Sequence, residues 1–245
     1  MFIYYEAVGV HLTAFFMHED LIPLVIQQLE KFVTENKVQL IKQVLSERTR
    51  YITVVMEDFY HPHNASAVMR TCDCFGIQDV HITQRLHEYN INPNVVRGAS
   101  KWLSLNMYEK AEESTERCFD QLKSKNYRIV GTTPDKNYAS IRELDISQPI
   151  AFVFGTEKQG ISNYAKQHVD ELVHIPMYGF TESFNVSVSA ALILNELVTR
   201  IKASEIEWQL SQEEKNDLKL SWYKNLVNRS DIHIKSFLEE HSQSK

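Results

Sequence analysis

The spacing of apolar and polar residues changes repeatedly between two periods along this chain. Short runs rich in β-branched residues, each four to eight long, predict strands at 51–58, 79–83, 127–133, 150–155 and 171–176. Apolar positions spaced three to four apart predict helices at 18–46, 65–75, 114–124 and 162–169. Strands that alternate with helices in this way predict an α/β domain with a mostly parallel sheet.

One stretch combines both periods. In "TESFNVSVSAALILNEL" (181–197), apolar and polar residues alternate from Phe184 to Ser189, while Val186 also begins the apolar face of a helix. A helix needs only one capping side chain, yet several small polar residues cluster here. The stretch follows a predicted strand, and ligands of parallel sheets bind beyond the carboxyl ends of strands. The polar cluster is therefore predicted to border a ligand crevice.

Two further loops follow predicted strands and carry similar chemistry. They are "GTTPDKN" (131–137) and "FGTEKQGIS" (154–162), and four of the chain's seven glycines lie between 131 and 179. Gly155 and Gly160 belong to neither a Walker loop nor a dinucleotide fingerprint, so an ordinary strand-to-helix turn stays open as an alternative. In "HPHN", Pro62 predicts a turn, and Asn64 is predicted to cap the helix that follows.

Composition and charge narrow the possible partners. The chain of 245 residues fits one domain with appendages, and its net charge is −6, so a nucleic-acid partner must meet a local basic patch. The best candidate patch is Lys42, Arg48 and Arg50, although a solvated helix end would look the same. No apolar run is long enough for a membrane span, and the three cysteines lack zinc-site spacing. We expect no metal, no membrane partner and a cytoplasmic location.

The order of three motifs is more specific than any one of them. "HPHNASAVMRTCDCFGI", "FVFGTEKQGIS" and "IPMYGFTESFNVSVSAALILNE" resemble the three motifs of the SpoU-class RNA 2′-O-ribose methyltransferases. Residues of about 50–200, including "TTPDKNYASIRELD", are most similar to the branch that methylates tRNA guanosines. The resemblance implies a SPOUT-type fold, with a deep trefoil knot in the mostly parallel sheet and helical extensions at both ends. It also implies a homodimer, with S-adenosylmethionine as the cofactor.

The resemblance also assigns residues by matching position. The cofactor-binding positions are Thr132, Gly155, Ile175, Phe184 and Ser187. The positions matched to catalysis or its geometry are Arg70, Asn64, Glu157, Ser183 and Asn185. Family accounts give the arginine a base-like role, but a guanidinium does not lose its proton in proteins. We expect Arg70 instead to stabilise the developing alkoxide or to hold the adjacent phosphate.

The expected reaction is methyl transfer from S-adenosylmethionine to the ribose 2′-OH of a guanosine in tRNA, in the D-loop. The alternatives are another tRNA nucleotide or ribosomal RNA as substrate, a catalytically silent RNA-binding relative, and a nucleotide-binding oxidoreductase.

Domain boundaries follow from the same patterns. Residues 1–50 are expected to form an N-terminal segment and helical extension, 51–203 the knotted methyltransferase domain, and 204–245 a C-terminal helical extension. Residues 1–16 show no strand-pairing signal and are expected to be dispensable, with the first helix opening at Met17.

Overall fold

A computed structural model describes residues 2–8, 11–17, 21–85, 98, 101–157 and 159–243. The chain divides into two compact units. One contains Arg48–Gln209, and the other combines Met1–Glu47 with Leu210–Lys245. The first of these units carries all three sequence motifs and is called the sheet unit below.

A seven-stranded sheet forms the centre of the sheet unit. Its strands are β3 (Ile52–Glu57), β4 (Asp79–Thr83), β5 (Ser104–Tyr108), β6 (Arg128–Thr132), β7 (Ala139–Ser140), β8 (Ile150–Phe154) and β9 (Glu171–His174). The spatial order is β5-β4-β3-β8-β6-β9-β7, and every pairing is parallel. The predicted α/β sheet is confirmed. Patterning missed β5 and β7, because one is half polar and the other is two residues long.

Helices cover both faces of this sheet. They are α3 (Pro62–Cys74), α4 (Ser114–Ser124), α5 (Asn163–His168) and α6 (Val186–Lys202). Val54 and Met56 pack in a core with α3 and α6, whereas Val55 points the other way into a core with α4 and α5. Burial on both faces explains why the central strands are almost entirely apolar. The deep knot stays a prediction.

The strand register brings the functional loops to one edge. Met56 lies beside Phe154, and Thr132 lies beside Val173, so β3, β8, β6 and β9 end close together. Because the strands are parallel, the loops that leave these four ends share one side of the unit. The three loops predicted from sequence are among them.

The second unit is helical apart from a hairpin. Strands β1 (Phe2–Val8) and β2 (His11–Met17) pair antiparallel, and the helices are α1 (Ile22–Glu30), α2 (Glu35–Ser46), α7 (Gln212–Leu226) and α8 (Ser230–Gln243). The expectation of no strand pairing in 1–16 was wrong, since Met17 ends a strand rather than opening a helix. The predicted helix at 18–46 is two helices, with a break at 31–34.

A side-chain cluster joins the ends of the chain within this unit. Glu30 accepts hydrogen bonds from Tyr223 Oη at 3.0 Å and from Lys219 Nζ at 2.5 Å. These contacts connect α1 with α7, although the two helices are almost two hundred residues apart in sequence. Within the described residues, no helix is both long and apolar enough to cross a bilayer.

The predicted basic patch does not form as expected. Arg48 is 2% exposed, forms an ion pair with Asp73, and donates from Nη1 to the carbonyl of Ile77 at 3.2 Å. Arg50 is partly buried and pairs with Asp79 at 3.1 Å. A guanidinium that lies inside the unit cannot neutralise a phosphate, so we withdraw Arg48 as an RNA contact. Lys42 is exposed on α2, in the helical unit.

The two arginine pairs predict different effects on stability. Arg48→Ala leaves the Asp73 carboxylate without its buried partner and should lower the free energy of unfolding by about 3 kcal/mol. Arg50→Ala breaks a more exposed pair and should cost about 1 kcal/mol or less. Urea denaturation of both variants measures the difference. Equal losses for the two variants would contradict the structural role of Arg48.

Candidate active site

The loops after β6, β8 and β9 enclose a cavity of about 450 Å³. This volume lies within the range of pockets that hold small ligands. Six of the ten matched positions line it: Thr132, Gly155, Glu157, Ile175, Ser183 and Phe184. Residues as far apart in sequence as Thr132 and Phe184 therefore meet around one space, as the three-loop crevice required.

The loop after β8 closes tightly on itself. Thr156 N–H donates to Gly160 O at 3.0 Å, and Gly160 N–H donates back to Thr156 O at 2.9 Å. Gly160 has a φ of +66°, in the region that favours glycine. A Cβ on Gly155 would lie 2.1 Å from the carbonyl carbon and oxygen of Gly160. Only glycine fits at 155, and its bare backbone forms part of the cavity wall.

A buried carboxylate anchors the far end of this loop. Glu57 is 1% exposed at the end of β3 and accepts hydrogen bonds from Ser162 N and Oγ, both at 2.7 Å, and from Thr115 Oγ1 at 3.0 Å. Ser162 in turn caps α5 by accepting from Ala165 N. Sequence reasoning missed Glu57. The sequence feature that could have revealed it is an acidic residue at the end of an otherwise almost entirely apolar strand, "ITVVME".

A second hydrogen-bonded group joins the first and third motifs. Asn185 caps α6, and its Oδ1 accepts from Ser187 N at 2.9 Å and from Ser187 Oγ at 2.6 Å. These two bonds fix which way the Asn185 side-chain amide is turned. Its Nδ2 therefore points to Asn64 and donates to Asn64 Oδ1 at 3.3 Å. The structure thus brings Asn64, Asn185 and Ser187 together.

Two of these residues differ from the sequence predictions. Asn64 was expected to cap α3, but His61 occupies the cap position and Asn64 lies within the first turn. Pro62 starts the helix instead, because its ring presets a helical φ and the first turn needs no donor. Ser187 is absent from the described cavity wall, although its neighbours Val186 and Ser189 line it. Its cofactor role stays a prediction, and its observed contact is with Asn185.

Arg70 lies outside the cavity wall. It is exposed on α3, and no described residue forms a hydrogen bond or an ion pair with it. Asn64 stands on the same helix and reaches the third motif through Asn185. The guanidinium therefore remains available to a ligand that approaches α3 from solvent.

The charges along the described wall favour a cationic ligand. Glu157 and Glu182 contribute two carboxylates, against the single ammonium of Lys166. Such a wall repels the diphosphate of a dinucleotide and attracts a sulfonium or an ammonium group. This arrangement weighs against the nucleotide-binding oxidoreductase.

Fold and site together define the class of protein. A cavity at the carboxyl edge of a parallel sheet, lined by both apolar and polar side chains, is typical of an α/β protein that binds a small ligand beyond its strand ends. The sequence model of the SpoU rRNA methylase family matches residues 51–195, more than half of the chain. The chain belongs to that family.

Individual relatives agree with this assignment. A tRNA (guanosine(18)-2′-O)-methyltransferase of Borreliella burgdorferi is 39% identical over 199 residues, covering 81% of this chain and 89% of the relative. The crystal structure of the A. aeolicus TrmH/SpoU tRNA modifying enzyme is similar with a TM-score of 0.69 at 28% identity, covering 82% of this chain and 99% of that one.

A more distant structure shares the fold alone. The SpoU methyltransferase AviRb from Streptomyces viridochromogenes, solved in complex with the cofactor AdoMet, has a TM-score of 0.55 at 22% identity. The similarity covers 66% of this chain and 62% of AviRb.

The fit at Gly155 generates a sharp prediction. Gly155→Ala forces a methyl group into the Gly160 carbonyl and should cost about 1–3 kcal/mol of stability while weakening ligand binding in the cavity. Gly179→Ala is the matched control, because its nearest neighbour lies at 4.0 Å and a change within about 0.5 kcal/mol is expected. Thermal unfolding and calorimetry with S-adenosylmethionine measure both effects. A Gly155→Ala variant as stable and as tightly binding as Gly179→Ala would refute the close approach.

Proposed function

We propose that this chain transfers a methyl group from S-adenosylmethionine to the ribose 2′-OH of a guanosine in tRNA. The substrate position would be guanosine 18 in the D-loop, the position that the name of the Borreliella burgdorferi relative specifies. The observation that carries the proposal is the convergence of six matched residues from three strand-end loops around one cavity.

The cavity suits the cofactor in chemistry as well as in size. S-adenosylmethionine supplies an electrophilic methyl group on a sulfonium centre when bound. Glu157 and Glu182 place negative charge where a cationic ligand gains from it. The backbone at Gly155 and Thr132 offers hydrogen-bonding groups that a nucleoside can use. These features support Thr132, Gly155, Ile175 and Phe184 as the cofactor-binding residues.

The remaining matched residues position the acceptor. Asn64 and Asn185 form one hydrogen-bonded pair, and Ser187 orients the Asn185 side-chain amide. Arg70 shares α3 with Asn64 and has its guanidinium in solvent. A guanidinium keeps its positive charge, so it can stabilise the negative charge that develops on the 2′-oxygen or hold the neighbouring phosphate. Ser183, in the cavity wall, is the remaining hydroxyl for the acceptor side.

A homodimer is part of the proposal. Val188 and Leu192 lie four residues apart on α6, and both are exposed. Phe184 extends the same spacing at the helix entrance. An apolar stripe of this kind on a helix favours burial against another surface. We propose a second copy of the chain as that surface.

Sedimentation velocity of the Leu192→Glu variant tests this interface, because a buried charge should weaken the dimer. An unchanged dimer would show that the stripe is not part of the interface.

Fewer basic residues are available to contact tRNA phosphates than the sequence predicted. Lys42 remains as a phosphate contact because it is exposed on the outer face of α2. Arg50 already pairs with Asp79, so a phosphate would have to compete with a carboxylate. We propose a cytoplasmic site of action, where tRNA is found.

Methyl transfer to defined transcripts tests the proposed function. The full chain is incubated with labelled S-adenosylmethionine and, in separate reactions, with an unmodified tRNA, with ribosomal RNA, and with the same tRNA carrying a 2′-deoxy or 2′-O-methyl guanosine at position 18. We expect label in the first RNA and none in the others. Label in ribosomal RNA but not in tRNA would overturn the substrate and leave the reaction class intact. No label in any RNA, despite cofactor binding, would indicate a silent relative.

Arg70 separates catalysis from cofactor binding. Arg70→Ala should abolish methyl transfer, while affinity for S-adenosylmethionine stays within about threefold, less than 1 kcal/mol. The physical reason is that its side chain lies outside the cavity wall. Arg70→Lys keeps the charge but loses the planar fork, so it should retain partial activity. If cofactor affinity falls as far as turnover, Arg70 belongs to the cofactor site or to the fold.

A further inference from the structure

Exposed aromatic side chains collect at one edge of the sheet unit. Among the described residues of 48–209, five tyrosine or phenylalanine side chains are exposed, and all follow the carboxyl end of a parallel strand. These are Tyr60 after β3, Tyr138 after β6, and Tyr178, Phe180 and Phe184 after β9. The other described tyrosine and phenylalanine side chains of the unit are partly or fully buried. Exposure is therefore confined to the edge that carries the cavity.

Two of the five stand out. Tyr178 is 90% exposed and Phe180 is fully exposed, with Gly179 between them. Met177 and Glu182, on either side of this short segment, both line the cavity. The two rings are thus held at the mouth of the site by residues that belong to its wall. Large apolar groups left in water beside a functional cavity are typical of a binding surface.

We propose that Tyr178 and Phe180 form a stacking platform for nucleobases of the substrate RNA next to the methylated ribose. The inference rests on the proposed function, because it requires an RNA ribose at the cavity mouth. A nucleotide whose ribose enters the site loses stacking neighbours in its own strand. An aromatic ring at the mouth replaces the lost stack, and every base offers a face for it.

The charge of the chain supports a nucleobase as the occupant. A protein with a net charge of −6 gains little from long-range attraction to a polyanion. Of the three predicted phosphate contacts, one is buried and one is paired with a carboxylate. Uncharged contacts must then supply more of the affinity than in a basic RNA-binding protein. Stacking is the strongest of these that needs no hydrogen-bond complement.

Stacking and ionic contacts predict different salt dependences of tRNA binding. The double variant Tyr178→Ala/Phe180→Ala should bind an unmodified tRNA transcript about five- to hundredfold more weakly at each salt concentration. The slope of log Kd against log salt should stay that of the wild-type chain, because no phosphate contact is removed. Lys42→Ala is the opposite control and should reduce the slope. Calorimetry with S-adenosylmethionine alone should give wild-type affinity for the double variant.

Matched variants separate an aromatic face from mere apolar area. Tyr178→Leu/Phe180→Leu keeps bulk but has no π-face, so it should lose affinity as the alanine variant does. Tyr178→Phe/Phe180→Tyr keeps both faces and should retain wild-type affinity. Full affinity in the leucine variant, or unchanged affinity in the alanine variant, would overturn the platform.

The same variants also test whether these rings lie in a subunit interface. The measurements do not depend on methyl transfer. If sedimentation velocity shows that the alanine variant is a monomer where the wild-type chain is a dimer, the rings belong to a subunit interface and the proposal fails. Binding is measured without turnover. A wild-type chain that binds tRNA through these rings but transfers no methyl group would refute the proposed function and leave the platform standing.

Discussion

The approach of Gly155 to the Gly160 carbonyl is the constraint on which the site depends. The two backbone segments meet at a distance that excludes any side chain, and the pair of hydrogen bonds between Thr156 and Gly160 holds them there. Glu57 then fixes the exit of the loop through Ser162, from the end of a neighbouring strand. This part of the cavity wall is therefore set by backbone geometry and a buried carboxylate.

The parallel register of the strands brings this loop together with the other loops of the site. Because β3, β8, β6 and β9 end at one edge, residues from motifs far apart in sequence line one space or adjoin it. The hydrogen bond between Asn185 and Asn64 ties the third motif to the first. A displaced strand would move one wall relative to the others, so the stability of the sheet and the geometry of the site are coupled.

Net charge and aromatic exposure bear on how the proposed RNA substrate would be recognised. Arg48 was predicted to contact phosphate. Instead, it pairs with Asp73 of α3 and donates to the carbonyl oxygen of Ile77. The exposed rings around the cavity mouth offer contacts that do not depend on net charge. Affinity built in this way would respond less to salt than that of a basic RNA-binding surface.

The sequence by itself determined the α/β class, five of the seven strands of the sheet and the identity of the three loops. Apolar runs and punctuating glycines are local signals, and the order of motifs carried the family. Tertiary structure alone decided the fate of Arg48, the role of Glu57 and the pairing of β1 with β2. A basic residue near a helix end looks the same in sequence whether it meets solvent or a partly buried aspartate. Its partner Asp73 lies 25 positions away, and only packing brings the two together.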